Sequence, residues 1–488
     1  MQVFKGVPFA KPPVGELRLR APRPCEPWSG VRSAAEFGAL APQNPPGSLF
    51  GSAAEGAQSE DCLTLNVWTP STDGSRPVLV WMHGGGFIFG TGSSALYDGT
   101  RLASRGDVVV VTINYRLGIL GYLAHPDLED EAGACGNWGL LDQLAALQWV
   151  RENIAAFGGD PSNVTAFGES AGSMSVADLL AAPAAKGLIH RAILQSGPPF
   201  AASMESSVEV TAKVLSHLGV GDPSKVRDVS VDALLAAQSA LVESRAGGPL
   251  PLIPAIDGAT LPIAPGKALA DGAAAGIPVL IGTNRDEFKV FMAADPDSRD
   301  PDEITLRAKI DRSFKANGVE LDPGAVIEAY RTARASRGAS VTPRELWSAI
   351  ESDRMFRVNS TRTADALGRH EERTFTYLFN WESPALGGAL GASHAVELPF
   401  VFGNLDAPRM DMFAGSGPQA DVLSETMMDA WLAFARSGNP STPRLEWPAY
   451  EPGKRTTMIL GPNVHVENAP DEVERKLWES AVVARSAR

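Results

Sequence analysis

Val164-Thr165-Ala166-Phe167-Gly168-Glu169-Ser170-Ala171-Gly172 decides the fold. VTAFG is a short apolar run that reads as a buried strand, and Ala171 to Ala182 reads as a helix. Between them stands G-x-S-x-G. A chain turning that sharply from strand to helix holds Ser170 at the apex in a strained conformation. Its hydroxyl is then exposed at the C-terminal edge of a sheet, beside a helix N-terminus that favours developing negative charge.

The pattern continues outward from this turn. Trp138 to Ala156 reads as a helix, with Leu140, Leu141, Leu144, Leu147, Val150 and Ile154 forming an apolar stripe. Gly158-Gly159-Asp160-Pro161 ends it. Further strands are expected at Pro77 to Met82, Val108 to Ile113, Ala192 to Ser196, Pro278 to Gly282 and Thr374 to Phe379. Their apolar runs show little alternation, as in strands covered on both faces. Strand, helix, strand in this order implies a mostly parallel sheet with helices on both sides. The segments at about 198–276 and 298–373 read as helical insertions over the active-site edge, within one domain spanning 1–488. Val422 to Ala435 reads as another helix, stopped at Gly438-Asn439-Pro440, and Arg32 to Glu60 reads as a loop.

Composition excludes several function classes. Of 488 residues, 43 are basic and 57 acidic, for a net charge of −14, so the surface repels phosphate backbones and nucleic acid is not an expected partner. Cys25, Cys62 and Cys135 form neither a disulfide framework nor a CxxC metal site. Residues 1–20 hold three prolines and four basic residues without an apolar core, and no apolar run is long enough to span a membrane. A cytoplasmic enzyme is the expectation, as a monomer or weak homodimer. Export of a longer precursor stays open.

His83-Gly84-Gly85-Gly86-Phe87 follows the strand PVLVWM. Glycines let the backbone approach a substrate and aim N–H groups at it. The N–H groups of Gly85, Gly86 and Ala171 are the expected oxyanion hole. The loop lacks the phosphate-binding G-x-x-x-x-G-K-[ST] pattern. His83 reads as a support for the loop, because the base in this architecture comes late in the chain. Phe87, Ile88 and Phe89 are candidates for the substrate pocket.

Together these features resemble the type-B carboxylesterases, which include bacterial para-nitrobenzyl esterases and the cholinesterases. Matching stretches include FKGVPFA at 4–10, SEDCL at 59–63 with Leu65-Asn66-Val67, HGGGF at 83–87, NYRLG at 114–118, GLLDQ at 139–143 and the serine turn itself. The resemblance implies an α/β-hydrolase fold and a Ser–Glu–His triad that needs no metal or organic cofactor. It places the acid at Glu287 in GTNRDE (282–287) and the base at His394 in GASH (391–394), ahead of ELPFVFG (397–403). The order serine, acid, histidine agrees with the hydrolase order. Sequence alone leaves Asp286 a competitor for the acid; the family match favours Glu287.

The chain also departs from the family. Exported members close a disulfide at the cysteine matching Cys62, but no cysteine stands near Ala41-Pro42-Gln43. Cys62 is therefore expected to be a free thiol. The loop that carries the aromatic choline platform in cholinesterases holds Phe50 and no tryptophan, which disfavours choline esters. The chain starts inside the usual first-strand region, so a shortened edge hairpin is expected.

The resulting expectation is hydrolysis of small or medium, uncharged carboxylic esters through an acyl-enzyme. Alternatives on the same triad are a carbamate or amide hydrolase and an acyltransferase; a non-catalytic binding module is a further one. With the ordinary imidazole value of about 6.5, activity should fall as pH drops through roughly 6 to 7.

Overall fold

The computed structural model describes residues 1–45, 56–244, 250–294, 300–479 and 481. Phe50 lies outside the described residues. Among the described residues there are twelve strands: β1 (Gln2–Pro8), β2 (Thr64–Thr69), β3 (Arg76–Met82), β4 (Val109–Ile113), β5 (Gly159–Glu169), β6 (Arg191–Gln195), β7 (Ala202–Ser203), β8 (Ala255–Ile256), β9 (Val279–Asn284), β10 (Thr374–Phe379), β11 (Thr456–Leu460) and β12 (His465–Asn468). Ten build one sheet in the order β1-β2-β4-β3-β5-β6-β9-β10-β11-β12, while β7 and β8 pair separately. From β4 to β11 every neighbouring pair is parallel; the outer pairs β1–β2, β2–β4 and β11–β12 are antiparallel.

Side chains of the inner strands alternate between two apolar layers. Val78, Val80 and Met82 of β3 enter one, with Leu140, Leu147 and Val150 of the helix Trp138–Asn153 and Val176 and Leu179 of the helix Ala171–Ala181. Leu79 and Trp81 enter the other, with Met427, Trp431 and Phe434 of the helix Pro418–Ser437. Both faces are therefore covered, which is why the strands read as continuous apolar runs.

The helix at 138 differs from its sequence reading. It ends at Asn153, followed by a 3-10 turn Ile154–Phe157, and Leu141 and Leu144 are only half-buried. Asp142 and Gln143 take the buried face instead. Asp142 receives two hydrogen bonds from the Arg116 side chain, at 2.8 and 2.7 Å, and Gln143 Nε2 donates to Ser175 Oγ at 3.0 Å. Paired in this way, a buried charge is tolerated.

The segments between β6 and β9 and between β9 and β10 are mainly helical. The first holds Met204–Leu218 and Val231–Glu243, together with β7 and β8. The second holds Glu303–Ala316, Pro323–Ser336, Pro343–Ser352 and Val358–Leu367. Edge strand β1 spans seven residues. The three cysteines are all unpaired. Among the described residues, no helix is long and apolar enough to cross a membrane.

Candidate active site

Because β3, β5, β9 and β10 run parallel within one sheet, the loops that follow them leave the same edge. Those loops carry the glycine run, Ser170, Glu287 and His394. Ser170 has φ 55° and ψ −125° and immediately precedes the helix Ala171–Ala181. Such a backbone costs a non-glycine residue about 1–3 kcal/mol and persists only where its surroundings hold it. Here Ser170 N–H donates to Gln195 O at 2.9 Å, and a Cβ on Gly172 would stand 2.0 Å from Met82 O. The elbow is thus clamped between β3 and β6. Its neighbours Glu169 and Ala171 are buried, while Ser170 opens into a cavity that His394 also lines.

Glu287 and His394 meet. His394 Nδ1 lies 2.6 Å from Glu287 Oε2, and Glu287 Oε1 accepts the Asn284 N–H at 2.7 Å. Glu287 is fully buried. Asp286, the competitor, instead pairs with Arg285 at 2.8 Å and with Lys289 at 3.4 Å. On the other side of the ring, His394 Nε2 lies 3.0 Å from Glu169 Oε1. No hydrogen bond joins Ser170 Oγ to His394 in this arrangement; such bonds commonly tighten only around bound substrate.

Two further carboxylates surround the imidazole, and sequence reasoning assigned neither. Glu169 is the first of the two variable residues of the serine motif itself. Glu397 is fully buried and accepts from Gln195 Nε2 at 3.1 Å and from Asn284 Nδ2 at 2.6 Å. Burial alone would lower the His394 pKa, but the Glu169 and Glu287 carboxylates outweigh it and raise the value to about 9. Burial, aided by Glu397 and Glu287, pushes the Glu169 carboxyl upward while His394 opposes it. The titration thus moves above the ordinary histidine range expected from sequence.

With His394 as the base, the acid limb of kcat/KM should have its midpoint above about pH 7, since the imidazole must be neutral to accept a proton. Glu169→Gln removes one stabilising anion and should shift that midpoint down by about one pH unit. A pH–rate profile with an uncharged ester checks both; an unmoved midpoint in the variant would refute this electrostatic reading.

Gly84, Gly85 and Gly86 line the same cavity. Among the described residues, nothing within the chain accepts a hydrogen bond from the N–H of Gly85, Gly86 or Ala171. The loop is fixed by N–H bonds from Ile88 and Phe89 to Gly85 O, both 3.1 Å. His83 supports it from beneath: its ring stacks on Tyr115 at 4.3 Å, and Tyr115 OH donates to His83 O at 2.6 Å. Burial lowers the His83 pKa to about 4, so it stays neutral.

Ile88 and Phe89 line the cavity, but Phe87 does not. With φ 64°, Phe87 turns its ring onto Tyr122 at 4.9 Å, inside the core. The expected three-residue pocket stretch is therefore two residues. The cavity, about 2210 Å³, also takes residues from both helical segments, including Pro199, Phe200, Trp347 and Phe356. The Phe356 and Phe291 rings flank the imidazole at 4.9 and 5.3 Å.

Known proteins resemble this chain over nearly its whole length. Residues 1–478 match the model of the carboxylesterase family. The chain is 44% identical to a para-nitrobenzyl esterase of Bacillus subtilis, over 98% of this chain and 95% of that protein. It is 38% identical to a phenmedipham hydrolase of Pseudarthrobacter oxydans, over 94% and 92% respectively. The solved structure of a Geobacillus stearothermophilus carboxylesterase superposes with a TM-score of 0.85 at 42% identity, covering 98% of this chain and 96% of that one. The fold is that of the α/β-hydrolases, and the chain belongs to the carboxylesterase family, as a serine carboxylic-ester hydrolase.

Proposed function

We propose that Ser170 is the nucleophile, His394 the general base and acid, and Glu287 the residue that orients the imidazole. The observation that carries this reading is the 2.6 Å contact of Glu287 with Nδ1 of His394, whose side chain lines the same cavity as Ser170. With Nδ1–H held by Glu287, the proton-accepting nitrogen is Nε2. Substrate draws Nε2 from Glu169 towards Ser170 Oγ. His394 takes the hydroxyl proton as Oγ attacks the ester carbonyl. The N–H groups of Gly85, Gly86 and Ala171 stabilise the oxyanion. The intermediate collapses, His394 protonates the departing alcohol, and an acyl-enzyme remains on Ser170. Water, deprotonated by His394, then releases the acid.

The substrates are uncharged esters of small or medium size. An apolar approach through Ile88, Phe89, Phe200 and Phe356 favours neutral groups, and a drug-sized ligand needs a pocket of only about 300–1,000 Å³. We read residues 1–488 as one domain with two helical insertions. Unpaired thiols suit a cytoplasmic setting. The expected assembly is a monomer or weak homodimer, which sedimentation at micromolar concentration resolves.

Glu287→Gln tests the acid. It keeps the side chain's size but cannot accept Nδ1–H and stabilise the imidazolium in the same way. A fall in kcat of about 10²–10⁴ is expected, with KM little changed. Wild-type turnover in this variant would remove Glu287 from the mechanism.

A further inference from the structure

Asp286 is adjacent to Glu287 yet faces a different partner set. Its N–H donates to Ala392 O at 2.9 Å, and its Oδ2 accepts the Ala392 N–H at 3.0 Å. Residue 286 therefore grips both polar groups of one residue, two positions before His394. Neighbouring contacts reinforce this one. Asn284 Nδ2 donates to Ser393 O at 2.7 Å, and Glu287 holds the His394 ring. One short turn, 284–287, thus holds 392, 393 and 394 in succession.

The grip is braced from behind. Arg285 donates to Asp286 Oδ2 through Nε and Nη2, at 3.0 and 2.8 Å, and itself reaches Glu382 at 2.8 Å. Lys289, 7% exposed, lies between Asp286 and Glu345, at 3.4 and 3.0 Å. The loop presses directly on the carboxylate: Gly391 has φ 55°, and a Cβ there would stand 2.5 Å from Asp286 Oδ2. Burial works against the charge, but Arg285 and Lys289 hold the carboxyl below its usual range, so it stays an acceptor at neutral pH.

We infer that Asp286 is a positioning residue for ester hydrolysis, fixing His394 through the backbone of Ala392 without touching the imidazole or the substrate. This rests on the proposed role of the Glu287–His394 pair. Without the carboxylate, the Ala392 N–H loses its acceptor and the histidine loop relaxes towards the cavity. Displacement of a reacting group by about 1 Å costs on the order of 10² in rate.

The test compares Asp286→Ala, Asp286→Asn and Glu287→Gln by kcat, KM and pH profile on one uncharged ester. Asp286→Ala should lower kcat about 10- to 100-fold with KM within about two-fold, because alignment is lost and binding is not. Asp286→Asn keeps an acceptor for Ala392 N–H and should lose only about five-fold, a partial rescue that a purely structural role would not require. The acid-limb midpoint should stay at the wild-type value in both Asp286 variants, since Glu169 and Glu287 still flank the ring, and should move in Glu287→Gln. Equal losses in Ala and Asn, a loss carried by KM, or a kcat within two-fold of wild type in Asp286→Ala would overturn the inference. Should Asp286→Ala not fold, Asp286→Asn decides: a five-fold lower kcat at unchanged KM supports positioning, and wild-type kcat overturns it. A Glu287→Gln enzyme with wild-type kcat would overturn the underlying triad reading instead.

Discussion

Ser170→Ala is expected to lower kcat on a p-nitrophenyl ester by about four to six orders of magnitude, because the covalent step loses its attacking atom. The side chain alone is removed. The elbow backbone is held by Gln195 O and by the packing of Gly172 on Met82, neither of which involves the hydroxyl. The variant should therefore fold and bind ester with KM near wild type. Residual turnover about 10³-fold over water would come from the oxyanion hole acting on direct water attack. Stopped assays at high enzyme concentration, with active-site titration of the wild type as reference, measure the difference. Retention of more than about a hundredth of wild-type kcat would be incompatible with Ser170 as nucleophile.

His394→Ala should lose a comparable amount, about four to six orders of magnitude, for a different reason. The serine hydroxyl remains but has no base, and none of the surrounding groups replaces it. Glu169 lies 3.0 Å from Nε2, and its carboxyl is buried. Because serine and histidine act in one step, the double variant Ser170→Ala/His394→Ala should be no slower than either single variant. Additive losses would mean that the two side chains serve separate steps.

The inner part of the fold was legible because buried parallel strands carry continuous apolar runs: PVLVWM, VVVVTI and TFTYLF mark β3, β4 and β10. The outer strands carry no such signal. β12 (HVEN) is exposed at every position, and β1 (QVFKGVP) is fully buried only at Pro8, so neither carries a continuous apolar run. The strained turn at Ser170 was legible because its constraint is local: a strand, a turn and a helix adjoining in sequence. Glu287 needed the family resemblance, since DE at 286–287 offers two carboxylates and only their distant partners distinguish them. Asp286 turns to Ala392, and Glu287 turns to His394.

The same distance hid Glu397 and Asn284. Both reach the imidazole's surroundings through contacts more than a hundred residues apart in the chain, which periodicity cannot report. Phe87 misled for a local reason. In a run of apolar residues after three glycines, sequence does not show that φ 64° sends one ring back into the core. The pH expectation moved for an electrostatic one: an isolated histidine value ignores two carboxylates within 3.0 Å of the ring.

The most direct test is covalent labelling at the nucleophile. The enzyme is incubated with an alkyl fluorophosphonate, whose phosphorus takes the serine oxygen and releases fluoride, and the protein is mapped by intact mass and peptide sequencing. One adduct per chain is expected, on the peptide that carries Ser170, with activity lost in proportion to labelling and no adduct on Ser170→Ala. A stoichiometric adduct on another residue, or full activity after Ser170 is labelled, would contradict Ser170 as the nucleophile.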